Sequence, residues 1–290
     1  MPDSFVRRFV AHVAAIEFGD PCRALDVLFL HANGFTALTY AAVLAPLAAE
    51  MRILALDLRG HGRTTLPTAL DSYTWQIFAD DVLACLAALG EPPRILSGHS
   101  MGGTTALLAA PRLVEHTPRL VLFDPVIAPA AAYAVPDPKP DLPLVQGALR
   151  RKPHFASREE AFLAYRGRGA FATWPDEALR DYVTDGLKPA PAGGFTLACA
   201  PAWEAGNFAR YASADPRAGL SARVRILRAE TRSTCALTDT EAAAAGAVIE
   251  TVRGTTHFLP IERPEIVRAA LRTARRDAEK STHASPVAKT

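Results

Sequence analysis

The stretch "ILSGHSMGGTTALLAA", residues 95–110, decides how this chain is read. A short apolar run ends at Gly98, Ser100 follows two residues later, and Gly102 and Gly103 open a segment rich in alanine and leucine. Gly98, Ser100 and Gly102 fit the pattern G-x-S-x-G, with a strand predicted before it and a helix after it. A serine held at such a turn stands above the sheet beside the free N–H groups of a helix start, and its neighbours must be small. The competing reading is a serine in a glycine-rich turn that merely feeds a helix. What decides between them is whether the rest of the chain supplies the groups a nucleophilic serine needs.

A serine hydroxyl is a weak nucleophile until a base takes its proton. His257, in "RGTTHFLPIERPE" (253–265), follows the last predicted strand and precedes the last predicted helix, where a loop can return it over the sheet. His12 lies early, His154 in the middle of the chain and His283 near its end, and they suit the role less well. Charge developing on a carbonyl oxygen also needs backbone donors, one from the residue after the nucleophile and one from a loop after an early strand. Met101 and Phe35 stand at those positions, Phe35 at the end of "LHANGF" (30–35).

Working outward, apolar runs rich in Val, Ile and Leu at 26–31, 52–58, 94–98, 119–124, 224–230 and 248–253 read as core strands. Helices are predicted at 39–50, 73–89, 102–111 and 264–279, with a short one at 239–245, and 6–10 with 13–18 as an antiparallel edge. Several of these strands are apolar on both faces, as burial between two helical layers requires, so the fold class is α/β with a mostly parallel sheet. Residues 126–221 break the rhythm. They begin proline-rich ("AVPDPKPDLP", 134–143) and continue as helices in "SREEAFLAYRGRG" (157–169) and "WPDEALRDYVTDGL" (174–187). Ser157 with Glu160 forms a capping-box start, and Trp174-Pro175 a second helix entry. The division is therefore a core at 1–125 and 222–280, a helical cap at 126–221 and a disordered tail at 281–290.

Composition narrows the partners. The 290 residues carry a formal charge of only +2, with basic and acidic residues intermixed, which gives no footprint for nucleic acid. No stretch has the length of a membrane span, and the start of the chain is broken by Arg7, Arg8, His12 and Glu17, unlike a secretory signal, so a cytoplasmic location is expected. The four cysteines are far apart without a CxxC pair, which suggests neither a zinc site nor a disulfide framework. No metal or organic cofactor is expected, and the partner anticipated is a small acyl substrate.

Four segments in order, "LHANGF", "LDLRGHGRT" (56–64), "GHSMGG" (98–103) and "GTTHFLPIERP" (254–264), resemble the oxyanion loop, the DxRGxGxS segment, the nucleophile elbow and the histidine loop of the α/β-hydrolase superfamily. The resemblance covers about 27–272 and implies the α/β-hydrolase fold of a serine hydrolase with a helical cap. It implies Ser100 as nucleophile, His257 as base, and the Phe35 and Met101 amides as oxyanion hole. His31, Asn33 and Trp174 are candidates for contacting the substrate. The Asp57, Arg59 and His61 cluster is read as structural.

The acid is the open position. The superfamily commonly carries an aspartate shortly after the strand 224–230, but here the chain continues "TRSTCAL" (231–237). Asp124, placed like the acid of one group of haloalkane dehalogenases, is favoured, with Glu230 as alternative and Asp239 third. Superfamily relatives that open epoxides or cleave haloalkanes use an aspartate nucleophile, so Ser100 points to carboxylic ester hydrolysis. Lactone, thioester, amide and carbon-carbon bond hydrolysis use the same apparatus, and the missing usual acid motivates a non-catalytic ligand-binding reading.

Overall fold

The hydrophobic periodicity of the core strands sorts their side chains to two sides. In a computed structural model, which describes residues 5–71, 73–114, 116–135 and 138–283, β3 (Val27–Leu30), β4 (Ile53–Leu56), β5 (Ile95–His99) and β6 (Arg119–Phe123) are buried along nearly their whole length. Val27, Phe29, Ile53 and Phe123 pack into one hydrophobic cluster, Leu28, Leu30, Leu54 and Leu96 into another on the opposite face. The period-2 alternation of a strand does this sorting.

These strands join β1 (Phe5–Val10), β2 (Val13–Phe18), β10 (Val224–Ala229) and β11 (Val248–Val252) in one eight-stranded sheet of order β1-β2-β4-β3-β5-β6-β10-β11. β1 and β2 form an antiparallel edge, and every pair from β4 to β11 is parallel. The chain leaves β3 for β4 on one side and returns as β5 on the other. A crevice between the carboxyl ends of β3 and β5 follows, the place where open α/β sheets bind ligands.

α2 (Gln76–Leu89) and α3 (Met101–Ala109) cover one face, α10 (Pro264–His283) the other. The helix predicted at 39–50 is instead a short α1 (Ala41–Leu44) flanked by 3-10 turns at Ala37–Tyr40 and Ala45–Leu47. Pro46 lacks the N–H a continuous helix needs at that point. α8 (Asp239–Ala244) is capped by Thr238, whose side chain accepts from Glu241 N–H, and Asp239 is its first residue. The last helix runs beyond 279 to His283, and residues 284–290 of the expected tail lie outside the described residues.

Between β6 and β10 the chain carries α4 (Pro143–Leu149), α5 (Arg158–Tyr165), α6 (Asp176–Asp185) and α7 (Pro201–Ala209). It also forms a small antiparallel sheet of β7 (His154–Phe155), β9 (Phe195–Leu197) and β8 (Leu187–Pro189), which the sequence does not announce. Its strands are two or three residues long, too short for alternation to register. Ser157 accepts from the Glu160 amide and starts α5, and α6 starts one residue after Pro175.

Candidate active site

Ser100 sits between β5 and α3 with φ 54°, a conformation a non-glycine residue adopts only under constraint. The constraint is the close approach of elbow and sheet. A Cβ on Gly98 would lie 2.5 Å from the Gly102 carbonyl carbon, and one on Gly102 would lie 2.2 Å from the Leu30 carbonyl oxygen. Two glycines thus let α3 pack directly on β3 and lift the serine oxygen to the sheet's carboxyl end.

His257 reaches the same place from the loop after β11. Its Nε2 lies 3.0 Å from Ser100 Oγ, and its Nδ1 lies 2.6 Å from Asp124 Oδ2. A carboxylate only accepts, so His257 Nδ1–H donates to Asp124 and Nε2 is left to accept from the serine hydroxyl. The loop is held by Glu262, which accepts from Thr256 N–H at 2.8 Å and from the Thr256 hydroxyl at 2.7 Å. From the segment between β6 and β10, Thr173 also donates to Glu262, at 2.7 Å.

Asp124 directly follows β6, is fully buried, and has φ 43°. Besides the imidazole, it accepts from Ala229 N–H at 2.9 Å, Ser233 Oγ at 2.6 Å and Thr234 N–H at 3.0 Å. Burial by itself raises this carboxyl; the hydrogen bond and charge of His257, with those from Ser233 and Thr234, outweigh it and hold the group below the ordinary aspartate range. The segment "TRSTC" therefore supplies donors to Asp124 and no carboxylate of its own. Glu230, the alternative, is exposed and accepts from Gly254 N–H at 2.9 Å. Asp239 pairs with Arg228 at 3.1 Å.

The loop after β3 is more committed than its sequence suggests. His31 is fully buried, its Nδ1–H donating to Ala32 O at 2.7 Å and its Nε2 accepting from Leu58 N–H at 2.8 Å. Asn33 donates to Glu204 O at 3.0 Å and accepts from Asn207 Nδ2 at 2.9 Å. His31 is thus engaged through both ring nitrogens, and Asn33 through its amide oxygen and one amide N–H. Phe35 N–H donates to Ala32 O at 3.1 Å, closing a turn, so this amide is already partnered. Met101 opens α3, and the first N–H groups of a helix have no intrahelical acceptor.

The Phe35 ring stacks on Phe258, centroids 6.1 Å apart, and meets Trp174 and Tyr182 edge to face. Trp174 is thus in the aromatic wall beside the His257 loop, with its buried Nε1–H lacking a hydrogen-bond partner among the described residues. Asp57 accepts from Ala37 N–H at 2.8 Å and Arg63 N–H at 3.0 Å, and Arg59 grips Asp81 with two nitrogens at 2.6 and 2.8 Å. His61 donates from Nδ1 to Arg59 O and accepts Gly34 N–H at Nε2, 3.0 Å; burial pushes its pKa down to about 4. These three groups fasten loops and stand outside the Ser100–His257–Asp124 chain. Among the described residues no group of His, Cys, Asp and Glu could hold a metal ion, and no helix is long and apolar enough to cross a membrane.

A parallel sheet with a strained serine at its elbow and a histidine and carboxylate in line defines a class, and comparison with known proteins gives the same class. The Alpha/beta hydrolase family profile matches residues 27–270, and the chain belongs to that family. Protein phosphatase methylesterase 1 of Mus musculus is 40% identical over 106 residues, covering 34% of this chain and 27% of that protein. N-formylmaleamate deformylase of Pseudomonas putida is 33% identical over 143 residues, 49% of this chain and 50% of the deformylase. The matches thus span half or less of these relatives. Among solved structures, E-2-(acetamidomethylene)succinate hydrolase superposes with a TM-score of 0.73 at 21% identity, over 93% of this chain and 98% of that one.

Proposed function

We propose that the protein is a serine hydrolase that cleaves a small carboxylic ester, or a related acyl compound, through an acyl-enzyme on Ser100. The observation that carries this is the chain from Ser100 Oγ to His257 Nε2 at 3.0 Å and from His257 Nδ1 to Asp124 at 2.6 Å. Ser100 Oγ attacks the carbonyl carbon as His257 Nε2 takes its proton, and the imidazolium then gives that proton to the leaving oxygen. Water repeats the sequence to free the acid. The Met101 amide receives the oxyanion; the Phe35 amide joins it by sharing or releasing its hydrogen bond to Ala32 O.

Two considerations favour an enzyme over a ligand-binding protein of the same fold. The acid missing from its usual place motivated the non-catalytic reading, and Asp124 at the imidazole removes that motive. The strain at Ser100 is of the kind kept where a side chain must be presented, on the order of 1–3 kcal/mol. Relatives named as a methylesterase and a deformylase agree with a small acyl or ester group. A fluorophosphonate probe is expected to label Ser100 of the wild type and not of Ser100→Ala, with turnover in a panel of nitrophenyl esters, lactones, thioesters and amides lost in the variant. Absence of both label and turnover in the wild type would overturn the reading. The member of the panel turned over fastest names the acyl class.

A further inference from the structure

We infer that Tyr40 and His99 are positioning residues that tie the turn after β3 to the backbone of His257 and so aim the imidazole at Ser100; this rests on the hydrolase reading above. At the x position of G-x-S-x-G, both ring nitrogens of His99 are spoken for. Its Nε2 lies 2.7 Å from the His257 carbonyl oxygen and its Nδ1 lies 2.7 Å from Tyr40 Oη. Tyr40 Oη in turn lies 3.2 Å from Ala32 N.

The direction of each bond follows from donor chemistry. A carbonyl oxygen only accepts, so Nε2 of His99 carries a proton and donates to His257 O. Burial, with the neighbouring His257 adding to it, pushes His99 down to about 3, so the ring is neutral near pH 7 and Nδ1 is an acceptor. Tyr40 therefore donates its hydroxyl proton to Nδ1 and accepts the Ala32 N–H. The path Ala32 N–H to Tyr40, Tyr40 O–H to His99, and His99 N–H to His257 C=O has one allowed sense. Both side chains are fully buried, so water does not replace either partner.

Its two ends are the parts that catalysis must hold still. Ala32 O accepts the Phe35 N–H, and Ala32 N–H is the start of the path, so the peptide groups on both sides of Ala32 are pinned. At the other end, Asp124, Ser100 and Thr234 meet the His257 ring and Glu262 clamps Thr256, while His99 holds the His257 backbone carbonyl. The His99 and His257 rings also lie 4.9 Å apart, centroid to centroid. Removing the Tyr40 hydroxyl leaves Nδ1 without a donor and His99 held by the Nε2–H bond to the His257 carbonyl alone, so the ring is no longer braced against the turn after β3.

The test uses the full chain as wild type, Tyr40→Phe, His99→Leu and His99→Gln, with 15N-labelled histidine. In the wild type at neutral pH, His99 is expected as the Nε2–H tautomer; the Nδ1–H tautomer would overturn the inference whatever the activity. Tyr40→Phe and His99→Leu should each lower kcat about 10- to 100-fold with KM within about twofold, as for a misaimed group and not for lost substrate binding. His99→Gln, which can still donate to the His257 carbonyl, should recover most of that loss. If Tyr40→Phe and His99→Leu keep wild-type kcat, the inference is wrong; if His99→Leu does not fold, Tyr40→Phe decides. Should the wild type turn over none of the acyl donors, the hydrolase reading fails separately. The His257 ring 15N shifts then decide the positioning claim, which stands if they move in Tyr40→Phe and falls if they do not.

Discussion

At the scale of single residues, Asp124 is the group whose chemistry can be read most directly. Its Oδ2 faces the His257 Nδ1 proton while Oδ1 is taken up by Ala229 N–H and Ser233 Oγ, so an uncharged amide there has no good arrangement. An amide NH2 at the Oδ2 position would oppose Nδ1–H and move the imidazole proton to Nε2, where it faces the serine. Asp124→Asn should therefore cost on the order of 10⁴-fold in kcat with little change in KM. Glu230→Gln should stay within about twofold, because Glu230 is exposed and only accepts from Gly254 N–H. Rates on the best nitrophenyl ester check both, and near-normal turnover by Asp124→Asn would remove Asp124 from the mechanism. Ser100 and His257 were legible because their signals are local: glycines at fixed spacing, and a histidine in a loop after the last strand. The candidate acid was legible only as a choice, since Asp124 and Glu230 each directly follow one of two neighbouring strands. His31 and Asn33 show what position in a motif does not reveal, namely the internal hydrogen-bond partners a side chain takes.

At the scale of elements, the turn between β5 and α3 is where space is scarcest. An alanine at Gly102 puts a methyl 2.2 Å from Leu30 O, which forces α3 away from β3. Gly102→Ala is expected to destabilise by about 1–3 kcal/mol, as overpacking does, and to lower labelling of Ser100. Gly147 is the internal contrast, since it lies within α4 and nothing comes within 4 Å of an added Cβ. Gly147→Ala should stabilise by about 0.4–1 kcal/mol. Urea unfolding of both variants reads the two signs, and a neutral Gly102→Ala would mean the elbow can shift without cost. Periodicity in the sequence located the long elements well, because each is apolar at a steady spacing over many residues. It overran at 39–50, where Pro46 interrupts an otherwise helical pattern, and passed over the small sheet of β7, β8 and β9, whose strands are shorter than one alternation.

At the scale of the whole molecule, the segment between β6 and β10 is fastened to the rest of the chain by buried polar groups that no sequence spacing links. Tyr73 donates to Asn207 Oδ1 at 2.7 Å, Asn207 Nδ2 donates to Asn33, and Asn33 Nδ2 donates to Glu204 O, so α7 is stitched to the loop after β3. Beside this seam the Arg151 guanidinium pairs with the Glu204 carboxylate and donates to Tyr182 Oη at 2.6 Å. The pair lies against the backbone of Gly34, where a Cβ would come within 2.7 Å of Glu204 Oε1. Arg151 and Glu204 are 53 residues apart and their side chains are only 18% and 10% exposed, so removing one strands the other. Arg151→Met should destabilise by about 3–5 kcal/mol, since it leaves a buried carboxylate without its cation. Arg151→Met combined with Glu204→Gln should be less destabilised than Arg151→Met alone, because the second change removes the stranded charge. Urea unfolding of the two single variants and the double variant measures the coupling. A double variant as unstable as the sum of the singles would show that the two residues act independently.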